Sequence, residues 1–172
     1  MPTEPFHRLF FAVRPAAGVI RAIAAWRDSL GQTKGLVTDD QLHLTAWLFD
    51  DRQDFPADAA ARAQAAIADV PLASFRLVLD RMVGGAGSVV LVPSAVPPGL
   101  LALQGALDRA LRAGGLQPRR DWGFRPHVTL LHGRQAVDRD IPPIDWPVEE
   151  LLLLDSIVGE RRHAAVARWP LG

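Results

Sequence analysis

The 172 residues predict a two-lobed chain of mixed helices and strands, built as a diverged duplication of one strand–helix–strand unit. Three observations carry that expectation. A short apolar run, an amphipathic helical segment and an aromatic or β-branched segment follow one another twice in the same order. Each copy ends on a segment containing His-x-Thr, His43–Thr45 in the first and His127–Thr129 in the second. A glycine cluster, Gly84, Gly85 and Gly87, breaks the pattern just before the second copy begins.

Arg8 to Val13, RLFFAV, is mostly apolar and is stopped by Pro15, which is the pattern of a buried strand. From Ala16 to Leu30, Val19, Ile20, Ile23, Trp26 and Leu30 recur at three-and-four spacing and gather on one face of a helix that Gly31 ends. Gln41 to Phe49, QLHLTAWLF, has strand composition and carries the first His-x-Thr; Asp50, Asp51 and Arg52 then turn the chain. Pro56 opens an Ala-rich helix to about Asp69, and Phe75 to Val83 is a further strand. The second copy has a strand at Ser88 to Val92 and a helix entered at Pro98 and closed at Gly114 and Gly115. Leu100, Leu103, Leu107 and Leu111 form that helix's apolar stripe, and FRPHVTLLH follows with the second motif. Pro142, Pro143 and Pro147 predict a linker, after which strands around Leu151 to Val158 and Ala164 to Trp169 give each lobe a last strand.

A hydrophobic content of 49% buries a sizeable core, and the length suits one domain, residues 1–172, made of two intimately packed lobes. Nineteen basic residues balance nineteen acidic ones, so no whole-molecule field draws in long nucleic acid and any such substrate is held locally. The absence of cysteine removes disulfides and thiolate metal sites and speaks against redox chemistry. Neither MPTEPFHRLFFAV nor any later stretch has the apolar length of a signal or a membrane span, so a soluble, cytoplasmic monomer is expected.

Side chains two apart on a strand share a face, so His43 projects with Thr45 and His127 with Thr129, while Leu44 and Val128 point into the core. Each strand then offers an imidazole that moves a proton near neutral pH and a hydroxyl that donates to a phosphate oxygen. Hydrolysis of a phosphodiester needs a base for water and an acid for the leaving alkoxide, roughly in line across phosphorus. Two opposed histidines supply both, and the threonines hold the non-bridging oxygens. One His-x-Thr on a strand is commonplace; two at matching places in a repeated unit form one site.

Rival readings are weaker. Neither motif has a carboxylate or second His beside it on the same face, so a zinc site lacks ligands. His132 lies five residues after His127, an odd offset that on a regular strand turns it to the opposite face, in a surface or capping role. His7 and His163 are ambiguous. The glycine runs match neither a P-loop nor a dinucleotide fingerprint. Arg119, Arg120 and Arg125 form either a solvated surface or a phosphate-steering group. Trp47 and Trp122, where exposed, are faces on which bases stack.

The ordered set RLFFAV, QLHLTAWLF, FRPHVTLL, WPVEELLLLDSIVG and ARWPL resembles the LigT-like branch of the two-histidine phosphoesterase superfamily, and within it the RNA 2',3'-cyclic phosphodiesterases formerly named 2'-5' RNA ligases. The resemblance implies a bilobal α+β fold, two antiparallel sheets flanked by helices around a central catalytic groove. It implies metal-independent, cofactor-free hydrolysis of a 2',3'-cyclic phosphate on RNA ends or small cyclic nucleotides to a 2'-phosphomonoester. In that reading His43 is the proton donor, His127 the acceptor, Thr45 and Thr129 bind the phosphate, and Arg125 stands where the family often has a basic residue. The sequence departs from the family at His132, where relatives usually carry arginine, and at Ala46–Trp47. Alternatives are another cyclic or 2'-5' linked nucleotide substrate, including reversible ligation, and a non-catalytic module that binds RNA ends.

Overall fold

Alternation and helical spacing become regular elements throughout residues 4–172, which the computed structural model describes. The strands are β1 (Phe6–Val13), β2 (Leu44–Leu48), β3 (Phe75–Gly84), β4 (Ser88–Val92), β5 (Val128–His132), β6 (Val137–Val148), β7 (Glu150–Val158) and β8 (Arg162–Pro170). The helices are α1 (Ala17–Asp28), α2 (Ala57–Ile67) and α3 (Pro98–Ala113), and Asp39–Gln41 makes a short 3-10 turn ahead of His43. The strands form two four-stranded sheets, β2-β1-β7-β8 and β5-β4-β3-β6, antiparallel at every pairing. This is the α+β, two-sheet architecture expected, with the His-Thr strand at one edge of each sheet.

Two expectations about the last third of the chain are corrected. The proline-rich segment is no linker: Val137–Val148 is a strand along the free side of β3. Proline cannot donate to a ladder, so it is tolerated at an edge or a bulge. Here β6 is an edge strand, and its register with β3 shifts between Leu79 and Arg81, opposite Pro142 and Pro143. Consequently β7 and β8 do not divide between the lobes. Both join the first sheet, and β6 completes the second.

The helices pack across the halves. Helix α1, from the first unit, lies against β5 and β6 of the second sheet, and α3 lies against β2 of the first sheet as well as β3. Leu100, Leu103, Leu107 and Leu111 of α3 are buried as one stripe, each contributing roughly 1.5–3 kcal/mol by leaving water. One hydrophobic cluster therefore runs from Phe11 and Trp47 through Leu107 to Leu130 and Trp146. A smaller cluster, Phe10, Ala12, Leu152 and Leu154 with Leu48 against it, occupies the other face of the first sheet.

Candidate active site

Each His-Thr strand is an edge strand whose outer side is strapped by the loop ahead of a motif. Val37 N–H donates to Leu130 at 2.9 Å and His132 N–H to Gly35 at 2.8 Å, while Arg119 N–H donates to Leu48 at 2.8 Å. Gly35 has φ +75°, and a Cβ there would lie 2.2 Å from the His132 carbonyl oxygen, so only glycine fits the strap against β5.

Both strands also share a bulge just after threonine. Pairing shifts so that Ala46 is extra between Thr45 and Trp47, and Leu130 is extra between Thr129 and Leu131. An inserted residue breaks the two-residue period, so the parity of every later side chain reverses. Ala46 and Trp47 are both buried, as are Leu130 and Leu131, and Leu48 and His132 return to the face of their threonines. The expectation that His132 points away is thereby corrected: its imidazole lines the same groove as His43 and His127, because a bulge breaks the alternation that placed it elsewhere.

That groove, about 500 Å³, is lined by both His-Thr pairs. Its floor is apolar, with Phe10 and Leu48 from the smaller cluster. Trp122 borders it, whereas Trp47 is fully buried and donates its indole N–H to Asp108 at 3.2 Å, so no base stacks on Trp47. Arg8 and Arg161 line it, and among the described residues no aspartate or glutamate does. A chain of zero net charge thus keeps a groove free of carboxylates, as an anion site requires. Among the same residues no three His, Asp or Glu side chains converge as metal ligands.

The two histidines are anchored alike. His43 Nδ1 lies 2.6 Å from the Gln41 carbonyl oxygen and His127 Nδ1 lies 2.6 Å from that of Arg125. A carbonyl only accepts, so each Nδ1 carries a proton and each Nε2 is left for exchange in the groove. Their electrostatic settings differ. His43 is walled in by Phe10 at 4.9 Å and His163 at 5.2 Å between ring centroids, and burial pushes it down to about 3, with His163, Arg14 and His127 adding to the effect. Arg125 is exposed, and what it brings to the site is its carbonyl; its side chain does not line the groove. Arg119 is held by Asp51 and Asp121, and Asp51 also holds Arg8 at 2.8 Å.

Sequence reasoning left Phe10, Leu48, Arg8 and Arg161 out of the site and His163 unassigned. Phe10 was within reach of the period-two argument, since it alternates with the core residues Leu9 and Phe11. His163 was not, because only the pairing of β7 with β8 brings it beside His43. His7 lies outside the groove, bonded to the buried Asp155 at 2.7 Å.

Comparison with known proteins identifies the fold and the family. The fold matches Escherichia coli LigT solved with 3'-AMP, at a TM-score of 0.78 and 28% identity, covering 98% of this chain and 99% of that one. It matches a structure described as a phosphoesterase at 0.77 and 28%, covering 96% and 98%. TT0787 of Thermus thermophilus, at 0.75 and 23% over 95% and 97%, shares the fold. A comparison with curated protein sequences gives no match. The family model of the 2'-5' RNA ligase superfamily matches residues 14–160, a span that holds both His-Thr strands, and the chain belongs to that superfamily, with the LigT-like two-sheet fold.

Proposed function

We propose that the protein is a phosphodiesterase that opens 2',3'-cyclic phosphates on RNA ends or small nucleotides to 2'-phosphomonoesters, using His43 and His127 as acid and base. The observation that carries this reading is the matched anchoring of two imidazoles, Nδ1 to a carbonyl two residues earlier, each immediately ahead of an edge strand and lining one carboxylate-free groove. LigT has been solved with 3'-AMP, ATP and NADP+, which favours a nucleotide as the ligand of this groove too.

His127 Nε2 accepts a proton from water as its oxygen bonds to phosphorus, the P–O3' bond breaks, and His43 gives its Nε2 proton to O3'. Thr45 and Thr129 donate to the non-bridging oxygens, where charge gathers. Burial beside Arg14 and His163 disfavours a proton on His43 in the empty groove. The anionic phosphate is the missing counter-charge, so His43 takes up its proton together with the substrate. No step requires a metal. Incubation with adenosine 2',3'-cyclic phosphate in EDTA, followed by phosphorus NMR, tests the reading. The 2'-monophosphate is the expected product; a 3'-monophosphate, or no turnover of any cyclic or 2'-5' linked nucleotide, contradicts it.

A further inference from the structure

A third imidazole stands beside His43, on a strand that carries no motif. His163, on β8, meets the His43 ring at 5.2 Å and 72° and the Phe10 ring at 5.4 Å and 76°, and it lines the groove. It differs from the two anchored histidines in one respect. Its Nδ1 is buried with no hydrogen-bond partner, so the polarity it shows to the groove is that of Nε2.

Burial, then the Arg14 guanidinium, pushes His163 down to about 4 against the opposing pull of Asp40 and Asp155, which leaves a neutral ring at pH 7. A neutral imidazole has one proton to place. A buried N–H without a partner is costlier and rarer than a buried lone pair without one, so the proton belongs on Nε2. His43 and His127 therefore show the groove a nitrogen that exchanges protons, and His163 shows it a fixed N–H. Such a donor next to a reacting phosphate needs no reorganisation as charge develops, which is the condition for stabilising a transition state.

We propose that His163 is a further catalytic residue of this site, a neutral Nε2–H donor to a non-bridging oxygen of the phosphate that His43 and His127 act upon. The proposal rests on the phosphodiester reading above. It adds a third donor to Thr45 and Thr129 and places it on the His43 side.

His163→Phe is the discriminating variant. It keeps a flat ring against Phe10 and His43, and it removes both the donor and the unpartnered nitrogen. The expected results are a fall of about 10²-fold in kcat for adenosine 2',3'-cyclic phosphate, weaker binding of inorganic phosphate by several-fold, and a Tm that is unchanged or higher. His163→Gln, whose amide donates, should recover part of the rate. Wild-type kcat and phosphate affinity in His163→Phe overturn the proposal. So does a lowered Tm with a loss of activity that His163→Gln does not restore, since that marks a packing role. Should the wild-type protein open no cyclic phosphate, the proposed function fails, while the phosphate affinities of wild type and His163→Phe still decide the role of His163.

Discussion

An imidazole packed against aromatic rings and repelled by a guanidinium charge gives up its proton easily, and His43 is held in that way by Phe10, His163 and Arg14. Binding of inorganic phosphate at pH 7 should therefore be accompanied by uptake of up to one proton, seen in calorimetry as a binding enthalpy that depends on the buffer's ionisation enthalpy. His43→Gln should show a smaller dependence, what is left being phosphate's own ionisation near neutral pH. The same burial acts on folding. The folded His43 value lies below its unfolded value of 6.5, so the unfolded chain binds more protons between about pH 6.5 and 3. Stability is then full above pH 6.5 and falls as the pH drops through that window, by up to about 1.4 kcal/mol per pH unit from this residue. Urea unfolding of wild type and His43→Gln at pH 7 and pH 5 measures it, and the variant should lose less. At this scale the His-Thr pairs were legible because strand alternation is local. His163 was illegible because its relation to His43 exists only across paired strands.

The His-Thr strands show how far an element can be read from its residues. Their composition and the core direction of Leu44 and Val128 followed from alternation, and both are fully buried. The bulges at Ala46 and Leu130 carry no glycine or proline to announce them, and they alone bring Leu48 and His132 to the groove. The β6 prolines misled for the opposite reason: a strong local breaker is harmless on an edge, and edge position is a property of the sheet. The strap at Gly35 makes an element-scale prediction. Gly35→Ala combines a left-handed φ with a contact against the His132 carbonyl, and should cost about 2 kcal/mol or more, with kcat/KM falling because β5 shifts with its strap. Denaturant midpoints and steady-state kinetics read the two effects. An Ala variant with both unchanged contradicts the account of the strap.

The sequence reads as two intimately packed lobes, and the helices are what tie each sheet to the other. Because α1 packs on β5 and β6 and α3 on β2, one continuous core supports both His-Thr strands. Leu107→Ala in α3 should cost about 2–5 kcal/mol, and it should leave one unfolding transition in which tryptophan fluorescence and circular dichroism coincide. Two separated transitions would contradict a shared core. The exchange of helices has no local signal, since each helix shows only an apolar face and not the sheet it will cover. The charge balance behaves likewise: zero net charge was plain from composition, but the exclusion of carboxylates from one groove arises only when the chain folds.

Whether His43 and His127 work as one unit across that groove is tested most directly by a double-mutant cycle. In EDTA, with adenosine 2',3'-cyclic phosphate as substrate, His43→Ala and His127→Ala should each lower kcat by about 10³-fold or more. The double variant should be scarcely slower than the worse single one, because removing either partner already disables the pair. Wild-type turnover by either folded single variant, multiplicative losses in the double variant, or abolition of wild-type activity by EDTA would contradict the two-histidine reading.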